Sequence, residues 1–375
     1  METVSHLKHQ HPDGWDYNYK YLFDHDPWIV SDIDVEIVSS KIKYLKIWLV
    51  SHPIQLRMLF KLWVNIEFQL CRVFLNHKID KIIILHTCAP FVLISNILKM
   101  YSNIPIYVIC YAPSIMTKSY PYPMDNIIKT DEITEEISLY SWRRMMYLVD
   151  EWSMIILNFK SGRDILNRAT YINCINPCIL KRELIPYDTE TRMISANSIL
   201  SETRFYDSFP DLLVETPFIY ITFGSYGSHP ILVPLIEYFQ QLFCDYNVIY
   251  HSSNRSVRDT KRWKNYHSYI PYEWIVPKAE LVVFTGTINL QTTCLYNAKP
   301  MIFIPLLGEQ FLWAKNYREQ TGTPFYSYLE HDQTIDNIRI GFEMRNDSRV
   351  VEYLKLCSTR ISTDEDAAET IRRII

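Results

Sequence analysis

A short polar turn in the second half of the sequence has the residue types that bind anions. The apolar run that ends near Val283 leads through Thr285, Gly286 and Thr287 into a helical pattern that begins near Asn289. The first turn of a helix presents backbone N–H groups that lack a partner within the helix, together with a partial positive charge. Phosphate groups bind well at such a helix end. The pattern is therefore compatible with a phosphate-binding site at this turn.

A second turn has residues that could contact the same kind of ligand. An apolar strand pattern over residues 218–223 delivers Gly224 and Ser225 into a sharp bend. Glycine allows a ligand to approach the backbone closely, and the serine hydroxyl can donate to a phosphate oxygen. A strand followed by Gly-Ser is also a common plain turn, so this motif alone has little specificity.

Residues 269–325 combine the first turn with three longer motifs in a fixed order. Residues 271–277 read PYEWIVP, residues 298–300 read AKP, and residues 305–313 read PLLGEQFLW. In order and spacing this segment resembles the donor-binding signature of UDP-sugar glycosyltransferases, and among them it is most similar to sterol and lipid glucosyltransferases. Abundant Ile, Tyr, Lys and Asn are typical of an AT-rich genome such as that of a virus or a parasite.

The resemblance implies a donor site assembled from several segments. The two turns would hold the diphosphate, mainly through backbone groups, an aromatic residue before PYEWIVP would stack on uracil, and an acidic residue followed by Gln would hold sugar hydroxyls. The implied donor-binding residues are Gly224, Ser225, Tyr269, Ile270, Pro271, Trp274, Thr285, Gly286, Thr287, Ile288, Asn289, Glu309 and Gln310.

Several of these residues also have a purely structural explanation. Tyr269, the predicted uracil platform, could equally be a core tyrosine at a strand end. Trp274 is expected to pack the loop that contains it. Glu309 could simply favour the first turn of a helix, where acidic residues are stabilised.

The sequence also departs from the family pattern. Thr285 stands where relatives carry a diphosphate-contacting His, Thr287 replaces a Gly, and Glu309 replaces an Asp. Threonine can hydrogen-bond a phosphate oxygen but cannot carry a charge. Two hypotheses follow: a transferase that moves a sugar from a UDP-sugar to a lipophilic, sterol-like hydroxyl acceptor, or a catalytically impaired relative that acts as a binding or interaction module.

The catalytic base is the least defined part of the predicted site. The resemblance places it after the first strand of the acceptor domain, yet the amino-terminal segment lacks a strand followed by a glycine-bearing turn. His11 and Asp13 lie in the corresponding region, and His11 has a pKa suited to proton transfer near neutral pH. A solvated terminus is the alternative explanation for both residues. The implied mechanism is an inverting displacement with the UDP-sugar as co-substrate, no further cofactor and no metal ion.

The elements that must position these residues alternate between strand and helix patterns. Such alternation predicts an α/β protein with parallel strands, and the resemblance specifies a GT-B type fold in which two Rossmann-like domains face each other across a cleft. In the first half, strands are predicted at 35–38, 81–85, 105–110 and 154–159, and helices at 53–75, 91–100 and 131–146. Periodicity fades over residues 181–209. The predicted domains are therefore 1–205 on the acceptor side, 206–355 on the donor side, and a terminal helix, 356–375, that packs back on the first.

Composition narrows the class of protein and its partners. The net charge is −4, and the Lys and Arg residues are scattered rather than concentrated in one segment. No nucleic-acid partner is therefore expected. The eight cysteines include no CxxC pair, which indicates buried thiols in a reducing compartment rather than a zinc site. The amino terminus has no signal-peptide core, so a cytoplasmic location is expected. Apolar residues recur at helical spacing over residues 53–75. This pattern predicts a helix packed on a sheet, and docking of the same apolar face on a membrane surface is the alternative.

Overall fold

A computed structural model describes a little under half of the chain. The described residues are 81–85, 103–110, 117–120, 134–143, 146, 166–180, 186, 192–196, 217–224, 232–252, 259–267, 270–306, 309–327, 335–363 and 367–374. The chain forms two compact units, the first over 1–84, 89–108 and 146–169 and the second over 85–88, 109–145 and 170–375. The predicted boundary at 205/206 and the predicted elements at 35–38, 53–75, 91–100 and 154–159 lie outside the described residues.

Four short strands form a first sheet in the order β1-β2-β3-β4. They are β1 (Ile82–Leu85), β2 (Ile106–Cys110), β3 (Ala169–Asn173) and β4 (Arg192–Ser195). The pair β3 and β4 runs parallel, with Tyr171 opposite Met193. The first two strands are where the apolar runs predict them. Strand β2 is largely buried, whereas Ile83 of β1, which was predicted as a buried strand, is 47% exposed. Residues 135–143 are helical, within the predicted range 131–146.

The strand β4 lies in the segment over which periodicity fades, residues 181–209. Arg192–Ser195 forms this strand at the edge of the first sheet. Both of its end residues are exposed and its middle residues are half-buried. An edge strand with one partner needs no continuous apolar run, so the sequence pattern is weak there.

Five parallel strands form the second sheet, in the order β7-β6-β5-β8-β9. They are β5 (Phe218–Thr222), β6 (Asn247–His251), β7 (Trp263–Tyr266), β8 (Ala279–Phe284) and β9 (Met301–Phe303). The central strand β5 is buried at every position because helices cover both faces of the sheet. The α/β fold class with parallel sheets that the sequence predicts is confirmed.

Helices on opposite faces of the second sheet bury alternate residues of β5. Helix α1 (Val233–Leu242) packs with Ile219 and Ile221 on one face. On the other face, Phe218 and Tyr220 share a core with α3 (Ile288–Tyr296). Period-two alternation of side chains along a strand produces this division. A short helix, α2 (Tyr272–Ile275), and a 3-10 turn (Val276–Lys278) lie between β7 and β8.

Four more helices complete the described chain: α4 (Glu309–Thr321), α5 (Asp336–Glu343), α6 (Ser348–Thr363) and α7 (Ala367–Ile374). Helix α6 buries Val350, Leu354, Cys357 and Ile361, which recur at helical spacing. Within the same unit, the Tyr353 hydroxyl donates to the carbonyl of Cys178 at 2.8 Å. Packing of the terminal helix on the first domain stays a prediction. None of the helices in the described ranges is long and apolar enough to cross a membrane.

Candidate functional site

The strand order of the second sheet identifies where a ligand would bind. From β5 the chain adds β6 and β7 on one side and then returns to add β8 and β9 on the other. Helix α1 follows β5 on one face of the sheet, and helix α3 follows β8 on the other face. The chain therefore leaves the carboxyl ends of these two neighbouring strands towards opposite faces. Open α/β sheets bind ligands at such a switch point.

Two of the predicted phosphate-binding turns leave the sheet at this point. Thr222, the last residue of β5, is opposite Phe284, the last residue of β8. Gly224 and Gly286 each follow two residues later, so they stand at the same depth on neighbouring strands. The structure therefore brings together two turns that lie far apart in the sequence.

The Gly224 turn is open and depends on glycine for its backbone conformation. Gly224 has a φ of +55°, and a Cβ placed there would meet no atom of the described residues within 4 Å. Its N–H donates to the Thr222 hydroxyl at 3.3 Å, which fixes the bend. An exposed glycine with open space above it can be approached closely by a ligand. Ser225 lies outside the described residues.

The Gly286 turn is tightly packed. Gly286 has a φ of +100°, and a Cβ placed there would lie 3.1 Å from Phe303 Cδ1 and 3.3 Å from the carbonyl oxygen of Gln310. Thr285 before it is only 2% exposed. Glycine is thus required both by the backbone conformation and by the close approach of α4.

The helix α3 starts directly after this turn, one residue earlier than the predicted Asn289. Thr287 is its N-cap residue, with φ −69° and ψ 135°, and its side chain makes no capping hydrogen bond. Ile288 is half-buried, and Thr287 and Asn289 are exposed. The Thr287 hydroxyl therefore does not cap the N–H groups at this helix end. An anion that binds at a helix end needs these N–H groups as donors.

The predicted sugar-binding pair begins α4, beside the Gly286 turn. Gln310 is 5% exposed, and its Oε1 accepts a hydrogen bond from the Leu306 N–H at 2.8 Å. Glu309 is half-buried at the first position of α4, which fits both a sugar contact and stabilisation of the helix end.

The loop before β8 packs against the same core. Ile270 is 1% exposed, and Pro271 is the N-cap of α2, with φ −65° and ψ 131°. Trp274 is half-buried, and the Lys278 ammonium lies 3.3 Å from the centre of its ring. Partial burial lowers the pKa of Lys278. Trp274 therefore packs its loop, as expected from the sequence.

Four predicted site residues are not placed by the structure. Ser225, Tyr269, His11 and Asp13 lie outside the described residues. The uracil platform and the catalytic base therefore stay predictions. In the described ranges, no group of three or more His, Cys, Asp or Glu side chains could hold a metal ion.

Three polar residues near the switch point escaped the sequence analysis. The Tyr220 hydroxyl and His251 Nδ1 are 2.7 Å apart, joining β5 to the last residue of β6. Gln291, the fourth residue of α3, is 1% exposed, and its Oε1 has no hydrogen-bond partner among the described residues. A phosphate oxygen cannot donate to that atom, whereas a ligand hydroxyl or a water molecule can. None of the three residues belongs to a short motif, and the Tyr220–His251 contact joins positions on two separate strands.

Comparison with known proteins identifies the fold. No family model matches the chain, and no curated protein matches it. Among solved structures it is similar to the glycotransferase of kitacinnamycin, with a TM-score of 0.62 and 16% identity over 87% of this chain and 84% of that one. It is similar to the spinosyn rhamnosyltransferase SpnG complexed with thymidine diphosphate, with a TM-score of 0.57 and 10% identity over 85% and 80%. It is also similar to the glycosyltransferase SnogD from Streptomyces nogalater, with a TM-score of 0.52 and 13% identity over 92% and 81%.

These neighbours are GT-B glycosyltransferases, and the predicted fold class is thereby confirmed. Because the identities are low, the likeness shows the fold and not the chemistry.

Proposed function

We propose that the protein transfers a sugar from a UDP-sugar to a hydroxyl of a lipophilic small molecule. The observation that carries this proposal is the contact between the Gly286 turn and Gln310. Through this contact the start of α3, which suits a diphosphate, lies beside the start of α4, which begins with Glu309. A diphosphate and a polyhydroxyl group are the two adjacent parts of a nucleotide sugar. The switch point therefore has the chemistry of a donor site in the right order.

The donor diphosphate would sit between the two glycine turns. The backbone N–H groups at the start of α3 would stabilise the charge that develops on UDP as it leaves. Gly224 would face the diphosphate from β5, where open space lies above its Cα. Much of the rate would come from orientation of the two substrates, and the proposed scheme uses no metal ion.

The transfer would be an inverting displacement. A base removes the proton from the acceptor hydroxyl as its oxygen attacks the anomeric carbon, and the bond to the diphosphate breaks on the opposite face. His11 is the proposed base, with Asp13 as the second candidate. Unchanged turnover in both His11→Ala and Asp13→Ala would contradict these assignments.

The nucleotide and the acceptor are proposed from the motifs rather than from the fold. PYEWIVP and PLLGEQFLW favour UDP and a sterol-like acceptor. Solved neighbours include SpnG complexed with thymidine diphosphate and SpnG complexed with spinosyn aglycone. Thymidine diphosphate is thus the competing nucleotide that a binding experiment should include. We also propose a cytoplasmic location, with contact at a membrane surface through residues 53–75.

A catalytically impaired binding protein is the second candidate function. Thr285 favours it, because a buried threonine stands where relatives have a histidine and supplies no charge to the diphosphate. Such a protein would bind a nucleotide sugar or a protein partner without transferring the sugar.

Calorimetric titration with UDP, thymidine diphosphate and UDP-glucose tests the donor site. We expect UDP to bind in the micromolar range and UDP-glucose to bind more tightly. Glu309→Ala should remove the gain due to the sugar, on the order of tenfold for a lost hydrogen bond to a charged group. Glu319→Ala is the matched control, because Glu319 is exposed on the same helix, away from its first turn.

The outcomes separate the two candidate functions. Tight binding with sugar transfer to a sterol, giving a product of inverted anomeric configuration by NMR, supports the transferase. Nucleotide-sugar binding without transfer to any tested acceptor supports the impaired binding protein. Absence of binding by all three nucleotides contradicts both donor-site proposals.

A further inference from the structure

One buried aromatic side chain borders both parts of the proposed donor site. Phe303, the last residue of β9, is 1% exposed. The position that a Cβ would take at Gly286 lies 3.1 Å from Phe303 Cδ1. The same position lies 3.3 Å from the carbonyl oxygen of Gln310 and 3.4 Å from its Cβ. The Phe303 ring and the first turn of α4 therefore both pack against the Gly286 turn.

The Phe303 ring is held in place by two further rings on neighbouring elements. Phe303 is opposite Phe284, the last residue of β8, and their ring centroids are 4.8 Å apart. The ring of Tyr317 on α4 lies 5.3 Å away. Tyr317 comes about two helical turns after Gln310, so the two residues lie on the same face of α4. The ring is thus enclosed by β8, by the Gly286 turn and by one face of α4.

We propose that Phe303 is a positioning residue of the donor site, whose ring sets the distance between the Gly286 turn and the start of α4. The proposal rests on the function proposed above, in which the turn holds the diphosphate and Glu309 holds the sugar. Protein interiors are close-packed, so elements that share a buried ring cannot approach each other while the ring is present. Only a donor whose diphosphate and sugar fit this distance makes both sets of contacts at once.

A purely structural role for Phe303 makes a different prediction. Loss of any large buried side chain lowers stability. Only a positioning residue also changes how much affinity the sugar adds to that of the nucleotide. UDP would contact the turn alone, whereas UDP-glucose would contact both the turn and the start of α4. The ratio of the two affinities therefore reports the positioning role separately from stability.

Affinities of Phe303→Leu for UDP and UDP-glucose, measured by calorimetry, test the proposal. Leucine keeps an apolar side chain but leaves a cavity beside Gly286 and Tyr317, into which the turn and α4 can shift. We expect UDP affinity to change by less than about twofold and the gain due to the sugar to fall from roughly tenfold to about threefold or less. The reason is that a hydrogen bond weakens steeply away from its best distance and angle.

Phe243→Leu is the matched control. Phe243 is also 1% exposed, and its ring contacts Phe239 and Phe342 in the core on the opposite face of the sheet. Its loss should destabilise the fold in a comparable way and keep the full gain due to the sugar. Loss of that gain in both variants would show a general effect of a loosened core, and would contradict a positioning role for Phe303.

A double variant tests whether Phe303 acts through the start of α4. Glu309→Ala alone should remove the gain due to the sugar. If Phe303 acts by placing Glu309, adding Phe303→Leu to that variant should not change the ratio of UDP-glucose to UDP affinity any further. A further fall in this ratio would contradict the proposal.

Unfolding temperatures test the contact itself without any ligand. A Cβ at Gly286 would press on the Phe303 ring, and removal of the ring makes room on that side. Gly286→Ala should therefore lower the unfolding temperature less in the Phe303→Leu background than in wild type. An equal fall in both backgrounds would contradict the contact. Phe303→Met, which keeps more of the side-chain volume, replaces Phe303→Leu in each measurement if the leucine variant does not fold.

The outcomes separate this proposal from the proposed function. If Phe303→Leu retains the full gain due to the sugar, the positioning role is wrong and the donor site stands. If wild-type protein gains no affinity from the sugar, the sugar-binding role of Glu309 and this proposal fail together. If UDP and thymidine diphosphate both fail to bind wild-type protein, the whole donor site fails with them.

Discussion

Two glycines show how differently a single residue type can serve one site. Gly224 and Gly286 both have positive φ, and both follow neighbouring central strands. Gly224 has open space where a side chain would be, whereas Gly286 faces Phe303 and the Gln310 carbonyl. The sequence predicted both as ligand contacts. It could not reveal that Gly286 also joins two parts of the core, because Gln310 is distant in the chain.

Alanine substitution should distinguish the two glycines. Gly286→Ala combines backbone strain with overpacking and should lower the free energy of unfolding by about 2–4 kcal/mol. Gly224→Ala adds only backbone strain and should lower it by about 1 kcal/mol. Urea unfolding followed by circular dichroism measures both values. Equal losses for the two variants would show that the packing around Gly286 is not as described.

Buried tyrosines predict sensitivity to alkaline pH. Burial raises the pKa of Tyr171, Tyr317 and Tyr353 above the ordinary value. In the unfolded chain these groups lose their protons near pH 10, whereas in the folded chain they keep them. The unfolded state therefore binds fewer protons above that pH, and stability falls as the pH rises. Below pH 10 these groups have no effect on the pH dependence.

Tyr317→Phe tests this linkage. The variant lacks one buried ionisable group, so between pH 9 and pH 10.5 its free energy of unfolding should fall by roughly 0.8 kcal/mol less than that of wild type. Tyr140→Phe is the control, because Tyr140 is 55% exposed. Urea unfolding at pH 9 and pH 10.5 provides the comparison. A slope for Tyr317→Phe identical to wild type would contradict the burial of this hydroxyl in the folded state.

At the scale of elements, the sequence predicts those that carry a strong local pattern. The strand β5 and the start of α3 fall within two residues of their predicted positions, because each joins an apolar run to a turn or cap. The strands β4 and β7 were not predicted. Both are edge strands of four residues with exposed positions, so neither produces an alternating or continuous apolar pattern.

The carboxyl end of α4 depends on a contact that sequence patterns do not reveal. Arg349 donates to the carbonyl groups of Gln320 and Glu319 at 2.8 and 2.7 Å. These carbonyls belong to the last turn of α4 and lack partners within the helix. Arg349 comes from the next-but-one helix, so its partners could not be identified from spacing.

Arg349→Ala should lower the free energy of unfolding by about 1 kcal/mol, because two charge-assisted hydrogen bonds at an exposed helix end are lost. Arg372→Ala is the matched control: Arg372 makes only an exposed pair with Glu369 on α7, and its loss should stay within about 0.5 kcal/mol. Thermal unfolding measures both. UDP-glucose affinity should be unchanged in Arg349→Ala, since Glu309 lies at the other end of α4.

At the scale of the whole molecule, the candidate site follows from the order of strands rather than from any single motif. Parallel strands and a Rossmann-like second half could be predicted from alternating patterns. The neighbour relations β6-β5-β8-β9 could not, because they join segments that are distant in the sequence. The donor turns were found by resemblance, whereas the Tyr220–His251 pair emerged only when β5 and β6 were seen side by side. The cleft between two domains and the base at His11 or Asp13 stay predictions.

The central claim is that a nucleoside diphosphate binds where the Gly286 turn meets the start of α3. Hydrogen–deuterium exchange with and without saturating UDP tests it most directly, because the proposed contacts are backbone N–H groups. We predict slower exchange over residues 286–290 with UDP, and unchanged exchange over α1, which covers one face of the sheet and ends away from the turn. UDP that is bound by calorimetry yet leaves residues 286–290 unprotected would contradict the account.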